Sequence, residues 1–347
     1  MKKQYMLLVV IVISAICLIS CTAAKEKSKS NYSTDKKENL SVWNVYWDNE
    51  KMEQEIASLE DSINEICYFA AYFDSNHNLF VPEEVTDNFN RVKKEFKDKE
   101  YVHYLSIVND KINRDGTSSL KDTNMLYQLF NDEKNLESHM NKIVMLAVEG
   151  GYDGIEIDYE GMKKDEQLWR LSVDYYRKLY EKLEKENLKM RIVLEPSLPT
   201  YDLGFPRGPN YIMMCYNLYG SGTEPGPKAN PAFILELVDK MKGLPGRKSF
   251  AFATGGFDWG KGENVTPLTE LQAKEIISLY KVTPTRDKTS KCVTFSYRDG
   301  EGVNHQVWFA DGETLRSWVE VVKGKGYYNY SIWRLNGNDI DSLKQLK

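Results

Sequence analysis

The sequence contains few of the residues on which metal and nucleophilic chemistry usually depend. Only four of its 347 residues are histidines, and no His-Glu-x-x-His, Ser-His-Asp, P-loop or dinucleotide-binding glycine pattern is present. Positive charge is not in excess, since 46 Lys and Arg stand against 51 Asp and Glu, for a formal net charge of −5. A mildly acidic chain is a poor partner for nucleic acid. The sequence therefore predicts a protein without metal, cofactor or nucleic-acid partner.

Cysteine is also scarce, with five in the chain. Cys17 and Cys21 lie in the N-terminal segment, which leaves Cys67, Cys215 and Cys292 for the folded part. These three lie in apolar, strand-like stretches without a Cys-x-x-Cys pair or a neighbouring histidine. We therefore expect buried free thiols rather than a metal site or a disulfide framework.

The N-terminal segment has the pattern of a secretory leader. Two lysines precede the apolar run Met6–Ile19, whose 14 residues are fewer than the roughly 20 that a membrane span needs. The sequence Leu-Ile-Ser-Cys, which ends at Cys21, resembles the lipobox of bacterial lipoproteins. It implies cleavage before Cys21 and lipidation of its thiol, and a simple transmembrane anchor is the alternative. We expect residues 1–20 to be a signal peptide and the polar residues 21–40 to be a flexible tether, so that the protein is extracytoplasmic and anchored to the bacterial membrane.

One segment carries three carboxylates on a single face of a predicted strand. Residues 151–161 read Gly-Tyr-Asp-Gly-Ile-Glu-Ile-Asp-Tyr-Glu-Gly, and alternation along a strand points Glu156, Asp158 and Glu160 the same way. Burial and mutual repulsion make such a row costly. Because an apolar stretch precedes the segment and a long helical pattern follows it, we predict a buried strand with a functional site rather than an exposed acidic strand.

This segment resembles the Asp-Gly-x-Asp-x-Asp-x-Glu signature of the family 18 glycoside hydrolases. The match falls on Asp153, Gly154, Asp158 and Glu160, and the chain differs at Glu156, where the signature usually has Asp. The resemblance implies an α/β fold, a (β/α)8 TIM barrel, with Glu160 as the catalytic acid at the tip of the fourth strand.

The rest of the chain supplies the other strands of such a barrel. Strand-like runs separated mostly by helical patterns lie near 41–47, 64–73, 101–108, 152–160, 189–196, 210–218, 248–257 and 327–334. Eight strands that alternate with helices favour a barrel over an open sheet, here a catalytic barrel over residues 41–347. The short connection 196–209 is rich in Pro and Gly, so we expect no helix between strands five and six.

Two helix starts and one insertion can also be predicted. Asn230-Pro231 caps a helix over 232–241, and Thr266-Pro267 is expected to do the same for 268–280. Two β-rich runs around a Gly-rich turn predict a small β-hairpin within an insertion at about 284–310. This hairpin resembles the insertion that many family 18 enzymes carry between strands seven and eight.

The resemblance also implies roles for the acids. Family 18 enzymes depart from the usual pair of carboxylates, because the 2-acetamido oxygen of the substrate attacks the anomeric carbon. Glu160 would protonate the leaving group and Asp158 would bind the acetamide N–H. Glu156 would share charge or a proton with Asp158. Neighbouring acids on the same face should raise the pKa of Glu160 toward a useful range.

Strand six and the aromatic residues complete the expected site. Met214, Tyr216 and Asn217 resemble the Met-x-Tyr-Asp motif of the family, with Asn in place of Asp, and Tyr216 would donate its hydroxyl to the acetamide oxygen. Trp333 fits the aromatic floor beneath the sugar. The remaining candidates lie at predicted strand ends, where sugar contacts and plain packing both remain open: Tyr46, Trp47, Trp259, Glu195 and Asp258.

The sequence thus predicts a monomeric hydrolase of β-linked N-acetylglucosamine glycans that acts with retention and with assistance from the substrate. Chitin oligomers, peptidoglycan and N-glycans all remain open as substrates. His305–Phe309 and Ser331–Leu335 resemble the spore-cortex branch of the family, which tilts the expectation toward cell-wall glycan. A lectin-like barrel lipoprotein that binds without cleaving is the alternative, disfavoured because Glu160 is retained. A two-lobed solute-binding lipoprotein is disfavoured because no second lobe is visible.

Overall fold

The structure, a computed structural model, describes residues 37–260 and 265–347. The predicted signal peptide, the lipidation site Cys21 and most of the predicted tether lie outside the described residues. Residues from Glu38 to Lys347 form one compact unit. Within the described ranges, no helix is both long and apolar enough to cross a membrane.

The described strands and helices alternate along most of the chain. In chain order the strands are β1 (Asn39–Val45), β2 (Ile63–Phe73), β3 (Leu79–Phe80), β4 (Val102–Ile112), β5 (Ser118–Ser119), β6 (Gly154–Asp158), β7 (Lys189–Leu194), β8 (Asn210–Met214), β9 (Arg247–Ala253), β10 (Gly255–Trp259), β11 (Val265–Leu268), β12 (Thr285–Arg286), β13 (Val293–Arg298), β14 (Asn304–Ala310) and β15 (Asn329–Trp333). The helices are α1 (Met52–Leu59), α2 (Glu83–Glu95), α3 (Thr123–Phe130), α4 (Glu133–Gly150), α5 (Glu166–Lys185), α6 (Pro231–Met241), α7 (Glu270–Tyr280), α8 (Gly312–Lys323) and α9 (Ile340–Leu343), followed by the 3₁₀ turn Lys344–Leu346.

Eight parallel strands close into a barrel in the order β2, β1, β15, β9, β8, β7, β6 and β4, with β4 pairing back onto β2. This confirms the predicted (β/α)8 fold. From β4 to β7 the parallel pairing has no register shift: Leu105 of β4 lies opposite Ile155 of β6, and Ile155 lies opposite Met190 of β7. As expected, residues 196–209 contain no helix. The carboxyl ends of all eight strands therefore meet at one rim, where barrel enzymes carry their sites.

Alternation along the strands divides the core into two layers. Ile155, Ile157 and Tyr159 belong to the large apolar layer between the barrel and its helices. A smaller cluster inside the barrel contains Trp43 and Tyr216. Cys67, Cys215 and Cys292 are buried free thiols, as predicted.

The segment between β9 and α8 forms a second, antiparallel sheet. The predicted hairpin is present as β13 and β14, and it belongs to a larger sheet in the order β11, β10, β14, β13 and β12, crossed by α7. The barrel strand predicted over 248–257 divides at Gly255, whose φ of +59° suits glycine.

One predicted helix start is correct and the other is wrong. Asn230 accepts a hydrogen bond from the backbone N–H of Phe233 at 2.9 Å, with Pro231 in the first turn of α6. Thr266, however, lies in β11. Helix α7 begins after Thr269, which forms a reciprocal capping box with Gln272 and so satisfies two backbone N–H groups that the Thr-Pro pair could not.

Candidate active site

The innermost carboxylate of the predicted row, Glu156, is enclosed by the barrel. It has no exposed surface. Its oxygens accept hydrogen bonds from the Trp43 indole N–H at 2.5 Å and the Ser106 hydroxyl at 2.7 Å, and the Arg191 guanidinium donates to it at 2.7 Å. Glu156 therefore cannot touch a glycan directly, which corrects its expected place among the substrate-binding residues. It supports the site from below.

Arg191 connects Glu156 to a second buried ion pair. The Arg191 side chain is fully buried and also contacts Glu65, which in turn pairs with Arg247 at 2.9 Å. Two acids and two guanidinium groups alternate, so the charge of Glu156 is balanced. Sequence reasoning missed this network, although a single arginine within the apolar part of β7 was a local signal that could have indicated it.

The second carboxylate, Asp158, lies at the end of β6 in very different surroundings. Its side chain is 7% exposed, and its Oδ1 has no hydrogen-bond partner among the described residues. Burial raises the pKa of Asp158 well above its usual value, and the charges of Glu160 and Glu156 add to that shift. Asp158 is thus primed to accept a partner that a ligand supplies.

Glu160 follows β6 immediately and is held by its backbone. Its N–H donates to Oδ1 of Asn109 at 2.9 Å, and its carbonyl accepts from Nδ2 of the same residue at 3.0 Å. The next N–H, of Gly161, donates to the carboxylate of Glu195 at 2.8 Å. The φ of +88° at Gly161 explains why glycine ends the segment. Glu195, a weaker candidate for sugar contact, thus fixes the turn that carries Glu160.

The side chain of Glu160 is in contact with a lysine that the sequence did not indicate. Burial raises the pKa of the Glu160 carboxyl group, and the ammonium of Lys121, 2.5 Å away, opposes that shift. The net pKa remains above the usual value. Because 39 residues separate the two in the chain, no local pattern could have paired them.

Tyr216 comes from the neighbouring part of the rim. It follows β8 and is 9% exposed. Burial raises the pKa of its hydroxyl well above the usual value, and the charges of Asp158 and Glu160 contribute, so the hydroxyl keeps its proton. Met214, two residues earlier, is buried beside Tyr216 in the inner cluster. Asn217 is exposed, with a φ of +61°.

A cleft of about 550 Å³ opens beside Tyr216 at the carboxyl rim. Trp333 borders it, half-buried, and is wedged edge-to-face against Phe69 at 4.9 Å and Trp43 at 5.8 Å between ring centroids. The ring is therefore held firmly, as a stacking platform for a sugar requires. Other residues that line the cleft include Asn217, Trp47, Lys228 and Arg334.

Two aromatic candidates are not brought to this cleft. Tyr46 is half-buried and packs against Trp47 at 5.2 Å and Tyr72 at 6.2 Å. Trp259 lies in β10 of the inserted sheet, 6% exposed, and donates its indole N–H to the carbonyl of Thr223 at 3.1 Å. It borders a separate cavity of about 680 Å³. The sequence predicted one continuous strand over 248–257, where the structure has β9 and β10 in different sheets, and this is why Trp259 was expected at the barrel rim.

Asp258 is also part of the inserted sheet. Its carboxylate accepts a hydrogen bond from the Tyr297 hydroxyl at 2.6 Å and contacts Nδ1 of His305 at 2.9 Å. These contacts connect β10 with β13 and β14 across the sheet. Asp258 therefore holds the insertion together instead of facing the carboxylates of β6.

Comparison with solved structures identifies the architecture. The spore cortex-lytic enzyme SleL of Bacillus cereus is similar with a TM-score of 0.74 at 16% identity, covering 89% of this chain and 73% of that one. A family 18 chitinase of Cycas revoluta, solved with (GlcNAc)3, has a TM-score of 0.69 at 16% identity, covering 88% and 97%. The chain has the fold of the family 18 glycoside hydrolases.

Sequence comparison finds relatives of low identity. The chain is 24% identical over 234 residues to YdhD of Bacillus subtilis (strain 168), which carries the name of a sporulation-specific glycosylase. That alignment covers 63% of this chain and 55% of YdhD, so the chain spans about half the length of this curated relative. No protein-family model matches the sequence.

Proposed function

We propose that this protein hydrolyses β-linked N-acetylglucosamine glycans with retention, through assistance by the 2-acetamido group of the substrate. The fold and the glycosylase, cortex-lytic and chitinase names of its relatives support glycoside hydrolysis. The observation that carries the mechanism is the meeting of Asp158, Glu160 and Tyr216 at one rim. Asp158 ends β6 and Glu160 follows it by two residues, while Tyr216 follows β8, which β7 alone separates from β6. Burial raises the pKa of the Tyr216 hydroxyl, and the charges of Asp158 and Glu160 add to that shift.

Glu160 is the proposed acid. A general acid must hold its proton near the working pH, and burial keeps the pKa of Glu160 above that of a free glutamate. Its side chain is 22% exposed, enough to reach a glycosidic oxygen. Clamping by Asn109 fixes the backbone from which the carboxyl group projects.

Asp158 and Tyr216 would act together on the acetamide. The unpartnered carboxyl group of Asp158 can accept the acetamide N–H and balance the positive charge of the cyclic intermediate. The protonated Tyr216 hydroxyl can donate to the acetamide oxygen. Held between the two, the oxygen would attack the anomeric carbon at high effective molarity. No covalent bond to the protein is needed.

The experiment measures turnover on three substrates: chitin oligomers, peptidoglycan and an N-glycan, with products identified by mass spectrometry. We expect cleavage with retained anomeric configuration, and strong inhibition by a thiazoline analogue of the cyclic intermediate, because the site would stabilise that species. A 2-hydroxy glucoside cleaved as fast as its 2-acetamido counterpart, or a glycosyl adduct trapped on a carboxylate, would contradict the mechanism. Glycan binding without any cleavage would point to the lectin-like alternative.

We also propose that the mature protein is a lipoprotein held outside the cytoplasmic membrane through Cys21. The support is the lipobox-like Leu18–Cys21 after a short apolar run. In this arrangement the polar residues between Cys21 and β1 would tether the barrel to the membrane. A Cys21→Ala variant should lack the mass of the diacylglyceryl group. If the variant and the wild type share the same mass offset from the sequence, lipidation at this residue is wrong.

A further inference from the structure

Lys121 has no role in the mechanism above, although it touches the proposed acid. Its ammonium lies 2.5 Å from Oε2 of Glu160, and its side chain is 47% exposed. Among the described residues, no second carboxylate lies within 4 Å of this nitrogen. A lysine in such contact favours the ionised carboxylate, which has no proton to donate. Lys121 therefore opposes the acid for as long as the contact lasts.

The backbone around Lys121 is fixed, so only its side chain can move. The Lys121 N–H donates to Oδ1 of Asp110 at 2.7 Å, and the next N–H, of Asp122, donates to the carbonyl of Asn109 at 2.8 Å. A Cβ at Gly161 would lie 3.3 Å from both Cβ and the carbonyl oxygen of Lys121, which indicates how closely the two turns pack. A flexible four-carbon stem then carries the ammonium over the end of β6.

The surroundings of this ammonium are acidic. The charges of Glu160, Glu195 and Asp158 raise the pKa of Lys121, and Asp110 lies against its backbone. An anionic group on a bound glycan would be repelled by these carboxylates unless it met the ammonium. The Lys121 ammonium can provide that contact, because it lies beside the Glu160 carboxyl group that must protonate the leaving group.

The structure of the leaving-group sugar indicates which anionic group could bind Lys121. The acid must reach the glycosidic oxygen, which is O4 of the sugar on the leaving side. In a glycan of alternating N-acetylglucosamine and N-acetylmuramic acid, the adjacent carbon C3 of that sugar can carry a lactyl ether with a free carboxylate. In chitin the same carbon carries a neutral hydroxyl.

We propose that Lys121 binds the 3-O-lactyl carboxylate of a muramic acid residue on the leaving-group side, and that this exchange releases Glu160 to hold the proton it donates. The assignment rests on the proposed hydrolase function and narrows its substrate class to anionic, muramic-acid-containing glycans. A neutral glycan leaves Lys121 on Glu160, so it is the poorer substrate.

The test uses peptide-free oligomers of alternating N-acetylglucosamine and N-acetylmuramic acid, and the same oligomers with the lactyl carboxylate reduced to an alcohol. Wild type should prefer the native oligomer in kcat/KM by about tenfold, the size expected for a charge-assisted hydrogen bond at a partly exposed site. Lys121→Met should lose that preference. Lys164→Met, the same change at an exposed lysine nearby with no ion pair among the described residues, should keep it.

Two further readouts distinguish this role from a structural one. On the reduced oligomer, Lys121→Met should shift the basic limb of the kcat/KM profile to higher pH, because removal of the ammonium raises the pKa of Glu160. The other groups that face Glu160 carry no positive charge that could replace it: Asp158, Glu195, Asp110 and the Tyr216 hydroxyl. Products should carry N-acetylglucosamine at the new reducing end. An unchanged preference in Lys121→Met, an unshifted limb, or products that end in muramic acid would each overturn the assignment. If wild type cleaves neither oligomer but cleaves chitin, only this assignment falls; if it cleaves no glycan, the proposed function falls as well.

Discussion

Two carboxylates of the same strand, Glu156 and Asp158, lie two residues apart and in opposite electrostatic conditions. Glu156 accepts hydrogen bonds from four side chains, those of Trp43, Cys67, Ser106 and Arg191, and belongs to a balanced ion-pair network. Asp158 has an oxygen without a partner among the described residues, and burial raises its pKa well above normal. The barrel therefore supplies compensation to Glu156 at its centre and withholds it from Asp158 at the rim. A buried carboxyl group without a hydrogen-bond partner in the protein, such as Asp158, is a group whose interactions a bound ligand can complete.

The strongest way to sharpen this contrast is to change the rim acid that donates the proton. Glu160→Gln keeps size and hydrogen bonding but has no acidic proton, so turnover on an unactivated N-acetylglucosamine oligomer should fall by about 10²–10⁴-fold. The melting temperature should stay close to that of wild type. Glu149→Gln, at an exposed position on α4, is the matched control and should retain full activity. Wild-type rates in Glu160→Gln would remove this residue from the acid role.

Breaking the balanced centre should instead cost stability. Arg191→Met leaves Glu156 and Glu65 buried without their shared guanidinium, so the free energy of unfolding should fall by about 3–5 kcal/mol, as for other broken buried ion pairs. Denaturant titration measures the loss. Adding Glu156→Gln should restore part of it, because the two changes act on one network. Strictly additive losses would show that the two side chains are not coupled.

Asp158 should show the opposite sign. Its folded-state pKa lies above the unfolded value, so the stability that its protonated form contributes is complete below the unfolded pKa, near 3.9, and is lost as pH rises through the raised pKa. Asp158→Asn removes this loss, which amounts to about 1.4 kcal/mol for each pH unit that separates the folded-state pKa from the unfolded one. Unfolding measured from pH 4 to pH 8 should show the variant gaining stability relative to wild type.

The same substitution at an exposed position, Asp87→Asn on α2, is the matched control for that series. A difference between Asp158→Asn and wild type that does not change with pH would mean that Asp158 ionises in the folded protein as readily as in the unfolded chain. The same variant should lose turnover, so stability and activity are expected to move in opposite directions at this residue.

The smallest expected effect compares the two tryptophans. Trp333→Ala removes the platform of the cleft, and KM for the oligomer should rise by a few-fold to about tenfold, the order of one aromatic contact. Trp259→Ala affects the inserted sheet, so it should lower the melting temperature with little change in KM. Isothermal titration calorimetry of oligomer binding, with each tryptophan changed in a Glu160→Gln background, distinguishes the effect of Trp333 on binding from the effect of Trp259 on stability. Equal effects on binding would place Trp259 in the glycan path.

The comparison also explains which parts of the site were predictable. Residue spacing indicated that the three acids share one face, whereas Tyr216 and Trp333 were indicated by the resemblance of short segments at strand ends to family 18 motifs. Asp258 and Trp259 were misplaced because the strand 248–257 continues without a composition change into the inserted sheet, and only the turn at Gly255 separates them. The start of α7 was misplaced because Pro267 fits the edge of a sheet as well as the first turn of a helix.

By itself the sequence indicated the period-two strands, their alternation with helices, which favoured a barrel over an open sheet, and the identity of the acids on β6 and directly after it. These are local properties, set by side-chain spacing within a few residues. The tertiary structure alone decided which acid is compensated and which is not. Arg191 reaches Glu156 from 35 residues away, and Lys121 reaches Glu160 from 39 residues away. Electrostatic balance depends on distance in space and on burial, and barrel closure creates both.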